Sequence, residues 1–172
     1  GEQFLDALES GECDLVLCYW HPDLAWGDRL AGDKFHWQTI GKEALVRVSI
    51  ANEQGEPRYR LPGSTEQPVP LIAYHSRGFL QSAIEGHIQR HKLAANLLPL
   101  NENTQSASIK ALVKQGFGMG WLPRRMTEKS EQFGRLVRAG DEYWDVPLEI
   151  RLIRLRDARS DDILNLWKQL ET

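Results

Sequence analysis

The chain predicts an α/β fold, and three observations carry that prediction. Apolar stretches of strand length alternate with helical patterns of about 10 to 15 residues, the order expected of strands joined by crossover helices in parallel sheets. A loop-like stretch from Asn52 to Pro70, with Pro57, Pro62, Pro68, Gly55 and Gly63, interrupts the alternation and marks a loop or a lobe boundary. The segment Ser106 to Pro123, SASIKALVKQGFGMGWLP, reads as a helix, a glycine stop, a buried strand and a second helix start.

The elements follow in order. Gln3 to Leu8 has helical apolar spacing that ends at Gly11, and Leu15 to Trp20 is a strand. Phe35 to Ile40 and Ala44 to Ala51 have strand character, with Leu45, Val46, Val48 and Ile50 partly alternating. After the loop, Leu71 to Tyr74 is a strand and Ser76 an N-cap candidate. Phe79, Leu80, Ala83, Ile84, His87 and Ile88 then lie on one helix face. Leu97 to Leu100 is a brief strand. In the segment that follows, Ile109, Leu112 and Val113 recur at helical spacing, Gly116 supplies a positive φ at the helix end, and Met119 to Leu122 is apolar enough to be covered on both faces. Pro123 suits the first turn of a helix running to about Phe133. Strands at Leu136 to Val137 and Val146 to Leu155 and a helix from Ser160 to Leu170 complete the chain.

Composition sets bounds on function. A chain of 172 residues buries about 70% of its unfolded surface on folding, enough to hold without metal or disulfide. Hydrophobic content of 41%, charged content of 26% and a net charge of -3 place it outside the disordered class. That balance lacks the clustered Lys and Arg of a phosphate-binding surface, so this stretch alone is not expected to bind DNA. Cys13 and Cys18 flank or enter the apolar run DLVLCYW; along a strand they would stand roughly 16 Å apart, too far for a bridge. Low cysteine use suits a reducing cytoplasm. No run approaches the ~20 apolar residues of a membrane span, and no charged-then-apolar leader heads the sequence.

The succession Val113, Gly116, Gly118, Met119 to Trp121 and Leu122-Pro123 resembles the second subdomain of the effector-binding domain of LysR-type transcriptional regulators. The phrase ALESGECDLVL is similar to that family's helix, Gly and Asp before an apolar strand, and the likeness runs from Leu5 to Leu170. Within the family, YHSRGFL together with GFGMGWLP resembles the branch of hypochlorite-responsive regulators. The resemblance implies a two-lobed, type II periplasmic-binding-protein-like α/β fold with lobes joined by crossing strands and the first lobe incomplete at its N-terminus. The lobes are expected at 1–66 with 149–172 and at 67–148. It implies a small, anionic effector bound between lobes, no cofactor, a homodimer through the effector domain and a tetramer in the full-length protein. DNA would be bound only by an upstream helix-turn-helix domain. Family members pair helix to helix, and the Phe79 to Ile88 face is the one expected to pack. Sensing of oxidant by methionine is not expected, because the two helix starts carry Leu80 and Gln105.

In a fold of this kind ligands lie at the carboxyl ends of strands, where helix N-termini point inward. That rule selects His75, Ser76 and Arg77 after one strand, and Asn103, Thr104, Gln105 and Ser106 after the next, where N–H groups and hydroxyls suit an anion. Ser76, Thr104 and Ser106 have a plainer role open to them as helix caps. Trp20 and His21, ending the first-lobe strand, offer an aromatic wall, with core packing as the alternative for Trp20.

Other patterns are weaker. His87 and His91 stand four apart on one helix, yet no third ligand has supporting spacing, and an exposed helix face accounts for them without metal. Gly116-Phe117-Gly118-Met119-Gly120 follows a helix and precedes a strand, the reverse of a dinucleotide fingerprint, so it reads as a turn. Ser76, His75 and Asp23 could be assembled into a triad, but no G-x-S-x-G elbow supports it. Arg151, Arg154, Arg156 and Arg159 read as a solvated face or a dimer rim. A ligand-sensing domain of a cytoplasmic regulator is therefore the leading expectation. An extracytoplasmic solute-binding protein of the same fold is the alternative, and an enzyme is not expected, because no acid, base and nucleophile converge.

Overall fold

The computed structural model describes residues 2–24 and 26–171. The chain forms two compact units, one of residues 1–42 with 148–172 and one of residues 43–147. It passes between them inside β2 (Phe35–Ile50) and again near the start of β7 (Val146–Leu155). These are the crossing strands expected of the two-lobed fold. The two strand segments expected on either side of Gly41 are thus one strand of 16 residues. Gly41 does not break it; a Cβ there would lie 3.4 Å from the Ile150 side chain, so the missing side chain admits a neighbouring one.

In the first unit, β1 (Val16–Trp20) runs antiparallel to β7, which lies between β1 and β2. Val16 faces Ile153 across the ladder, and both belong to a core with Leu5 and Leu8 of α1 (Glu2–Ser10), Leu30 of α2 (Gly27–Leu30), Trp26 and Phe35. Helix α1 stops where expected, at Gly11 with φ +80°. Arg29 ties the two helices by pairing with Asp6 and Glu9 at 3.0 and 2.9 Å. The last helix, α6 (Asp161–Leu170), is held to β2 by a bond from Gln38 Nε2 to the carbonyl of Trp167. Cys13 and Cys18 are both free thiols.

Of the four arginines read as a solvated face or a dimer rim, Arg156 and Arg159 are exposed, but the two on β7 are a correction. Arg151 and Arg154 are buried. Arg151 lies 3.6 Å from the ring centres of both Trp20 and Trp37, a guanidinium between two indoles, and donates to Glu149 through Nε and Nη2. Arg154 sits over Trp167 on the opposite face of β7, with Nη1 donating to the carbonyls of Leu155 and Arg156. A long planar cation can be buried when aromatic faces and carbonyls replace its water, and the aromatic partners lie far away in sequence.

In the second unit, the later half of β2 pairs antiparallel with β5 (Gly120–Pro123) and β6 (Leu136–Arg138). The expectation of parallel pairing holds for β3 (Val69–Tyr74) and β4 (Leu97–Asn103), which are joined through α3 (Phe79–Arg90), and for the single bridge between Leu71 and Met119. The remaining named pairings are antiparallel. Their long apolar runs imitate parallel strands because both faces are buried.

Helix α4 (Ser106–Lys114) buries Ile109 and Val113, ends before Gly116 at φ +83°, and leads through Gly118 into β5, whose four residues are all buried. A Cβ on Gly118 would stand 2.6 Å from the carbonyl oxygen of Pro70, so only glycine allows Met119 to bond the edge of β3 through Pro70 and Ile72. Pro123 ends the strand and caps α5 (Arg124–Gln132), one position earlier than the first turn. Among the described residues, no helix is long and apolar enough to cross a membrane.

Candidate effector pocket

The parallel strands β3 and β4 end side by side at Tyr74 and Asn103. Beyond them the chain turns into α3 and α4, and a pocket of about 480 Å³ opens there. Its walls come from Tyr74 to Arg77 without Ser76, from Gly78, Phe79 and Leu80 at the start of α3, and from Asn103 and Thr104. Of the residues expected at an effector site, His75, Arg77, Asn103 and Thr104 therefore meet in one pocket.

Local hydrogen bonding fixes their positions. The His75 carbonyl accepts the N–H of Gly78 at 2.8 Å, and His75 Nδ1 accepts the N–H of Arg77, so residues 75 to 78 close a tight turn. That turn delays the helix. The N-cap is Gly78 in extended conformation, with no side chain bonded to the helix end, and Ser76 is not the cap. The sequence showed a good capping residue but not the competing turn. Asn103 donates through Nδ2 to the carbonyl of Ala73 and to Asn101 Oδ1, while its own carbonyl accepts the N–H of His75. It is a tie between the strands as much as a pocket wall. Gln105 occupies the N-cap position of α4 without a side-chain cap bond, and Ser106 is the first helical residue. The Ser106 hydroxyl shares a 2.8 Å hydrogen bond with Tyr74, anchoring α4 to the strand end below the pocket.

The pocket carries positive charge from Arg77, whose guanidinium has no carboxylate partner among the described residues. The carboxylate of Glu102 lies 3.7 Å from His75 Nε2. A helix start presents N–H groups without partners inside the helix, and the N-cap of α3, Gly78, has no side chain to meet them. An open helix start, an arginine and the exposed Thr104 beside apolar Phe79 and Leu80 suit a small molecule with an anionic head. Reading from the sequence missed Tyr74, Gly78 and Phe79 as wall residues. Their adjacency to the strand end was the available signal. No methionine lines the pocket: Met119 is fully buried in the core, and Met126 lies on α5.

Trp20 and His21 belong to the first unit and are engaged there. Trp20 packs against the core and takes one face of Arg151; His21 is buried, and its Nδ1 accepts the N–H of Asp23 at 3.2 Å. Beside Arg151, burial pushes the Cys18 thiol up to about 11, with the nearby guanidinium opposing, so it stays a thiol. Of the His87 and His91 pair, His91 is exposed as expected and His87 is not. His87 is buried rather than exposed, its Nε2 is 2.8 Å from the carbonyl of Tyr143, and the two rings stand 4.4 Å apart. Among the described residues, no group of three or more His, Cys, Asp or Glu could hold a metal ion.

Known proteins share the fold. The chain is 20% identical over 169 residues to the HTH-type transcriptional regulator YjiE of Escherichia coli K12, covering 98% of this chain and 52% of that protein. It is likewise 20% identical to the HTH domain-truncated transcriptional regulator QseD of E. coli O157:H7, of which it covers 66%. The chain thus spans between half and two thirds of these curated relatives. The regulatory domain of HypT from Salmonella typhimurium superposes with a TM-score of 0.81 at 22% identity, over 98% of this chain and 76% of that one. The CcmR regulatory domain of Synechocystis PCC6803, in complex with 2-PG, does so at 0.72 and 15%, over 98% and 77%. At these identities the likeness is one of fold. The family-level assignment comes from a model of the LysR substrate binding domain, which matches residues 1–172. With the paired parallel strands and the pocket at their carboxyl ends, the chain belongs to the LysR substrate-binding domain family.

Proposed function

We propose that this domain senses a small anionic effector for a LysR-type DNA-binding transcriptional regulator, and that the effector's acidic group binds where β3 and β4 end. The observation that carries the reading is the pocket itself, in which Arg77 and Thr104 stand beside the start of α3, whose N-cap is a glycine. Two solved relatives in fold hold small anions, bromide in one HypT structure and 2-PG in CcmR, which supports an anionic ligand class. The alternative of an extracytoplasmic solute-binding protein is not favoured, because the relatives reported above are transcriptional regulators. No catalytic role is assigned. His75 is turned toward Glu102 and the Arg77 N–H rather than toward a nucleophile.

In this reading the domain works in the cytoplasm. DNA is contacted by a separate helix-turn-helix domain. Effector binding shifts an equilibrium between conformations of an oligomer, as differential affinity for two states requires. The domain pairs through α3 into a homodimer, and the full-length protein forms a tetramer. Calorimetric titration with a panel of carboxylates and phosphates tests the effector reading. A saturable partner should be found whose affinity drops in Arg77→Gln and Thr104→Val. Binding that both variants leave unchanged would remove the pocket from the mechanism. Sedimentation at tens of micromolar should show a dimer, since obligate interfaces of about 2,000 Å² or more persist there; a monomer defeats the pairing.

A further inference from the structure

A second pocket, of about 400 Å³, opens at the other end of β3, where the strand begins. Arg58, Arg60, Ser64 and Gln67 line it, with Val69 and the prolines 68 and 70 as an apolar wall. Five steps of about 3.3 Å separate Val69 from Tyr74, so this pocket lies roughly 16 Å along the strand from the one described above. We propose that it is an accessory site for a small oxyanion, a phosphate or carboxylate group carried on a compact molecule.

The loop is built in a way that keeps the donors facing one space. Ser64 and Gln67 close a turn, with the Ser64 N–H donating to the Gln67 carbonyl and the Gln67 N–H donating to Ser64 Oγ. Because that oxygen accepts, its hydroxyl proton stays available for a ligand. Gly63 holds the turn against β3 at φ +69°, where a Cβ would stand 2.6 Å from Val69 Cγ2, so the loop cannot carry a larger residue there without moving. Tyr59 is fixed by a 2.6 Å bond from its hydroxyl to the Gly116 carbonyl, and Arg58 lies over its ring at 5.5 Å.

The two cations are differently committed. Arg60 pairs with Glu56 at 2.9 Å, both more than half exposed, a contact worth little and readily exchanged for a ligand oxygen. Arg58 has no carboxylate partner among the described residues. Two guanidinium groups, a hydroxyl proton and a carboxamide around one opening match an oxyanion, which arginine can bind through paired N–H donors. Of the acids nearest in sequence, Glu56 is already opposed by Arg60, and Glu66, within the Ser64–Gln67 turn, is not among the residues that line the opening.

The test is an amide NMR titration of this whole chain with inorganic phosphate, with acetate, and with chloride at matched ionic strength. Saturable shifts should appear at Ser64 and Gln67 with phosphate or acetate, and whichever saturates at the lower concentration identifies the oxyanion. Affinity should fall about tenfold or more in Arg60→Gln, as expected for losing one charge-assisted contact, while Thr104→Val leaves it unchanged. Arg58→Gln should behave like Arg60→Gln. Because Arg58 Nη1 also lies beside Gly116 at the end of α4, thermal melts accompany it, and Arg60→Gln decides alone if it unfolds. Shifts equally large with chloride, no saturation by tens of millimolar, or affinity unmoved in Arg60→Gln would each overturn the site.

Discussion

Two regions satisfy the same positional rule, that a ligand contacts the residue just past the carboxyl end of a strand, and they treat their polar groups in opposite ways. At the end of β1, Trp20 is stacked on Arg151, Arg151 is stacked on Trp37 and bonded to Glu149, and His21 is buried with its ring nitrogen bonded. At the end of β3 and β4, the helix has no side-chain cap, Arg77 has no carboxylate, and Thr104 is exposed. Position in the fold nominates both, but hydrogen-bond accounting separates them. A group whose partners come from its own unit stabilises the fold; one left open at a helix start is available to a ligand.

The contrast is broken most strongly at Arg151. Replacing it with Ala removes two indole stacks and the Glu149 bonds, and leaves a gap between Trp20 and Trp37. Stacks of ~0.5 to 2 kcal/mol each, plus a charge-assisted bond, add up to an expected loss of about 2 to 4 kcal/mol. Arg151→Lys should recover the charge but not the planar stacking, and fall between. Urea unfolding checks this through the midpoint at unchanged slope. If Arg151→Ala melts like the parent chain, the sandwich contributes nothing and the first region is as open as the second.

The second region should respond the other way. Thr104 is exposed, so Thr104→Val is expected to change stability by less than about 0.5 kcal/mol. The same change should weaken effector binding by about 1 to 3 kcal/mol, the cost of one lost hydrogen bond to a charged group. Calorimetry and thermal melts on the same sample separate the two effects. A destabilised Thr104→Val variant with unaltered affinity would make the residue a structural one, on the side of Trp20.

What could be read from residues alone follows the same division. Local signals were legible: the span Val146 to Leu155 is the strand the pattern indicated, and Gly11 and Gly116 end helices at positive φ as their positions required. Signals that depend on distant partners were not. The arginines of β7 looked solvated because nothing near them in sequence reveals the three tryptophans that cover them. Ser76 looked like a cap because the turn that replaces it is made by backbone and an imidazole. The pocket was only half legible. Arg77, Asn103 and Thr104 follow from the strand-end rule, whereas Tyr74 is still in the strand and Phe79 already in the helix.

Helix α3 joins the two behaviours in one element, open at its start and closed near its end, and pH should distinguish them. Burial holds the pKa of His87 below its ordinary value, with the bond to the Tyr143 carbonyl opposing and the charges of His91 and Arg90 assisting. Its Nε2 is engaged by that carbonyl, while Nδ1 is buried without a partner, so protonation would place a charge where no acceptor waits. The unfolded chain takes up this proton near pH 6.5 and the folded chain only at lower pH, so between those values the unfolded state binds more protons. Stability from His87 is therefore complete above pH 6.5 and declines as pH falls through the lowered folded value. His36, lowered chiefly by burial and further by Arg156 and Arg154, adds to the decline with the same sign. Urea midpoints taken from pH 7.5 to pH 5 should fall in the parent chain and fall less steeply in His87→Gln, with the slope due to His36 remaining. Parallel curves for parent and variant would show that the closed end of α3 tolerates the charge, and that the contrast between its two ends is one of geometry without an electrostatic consequence.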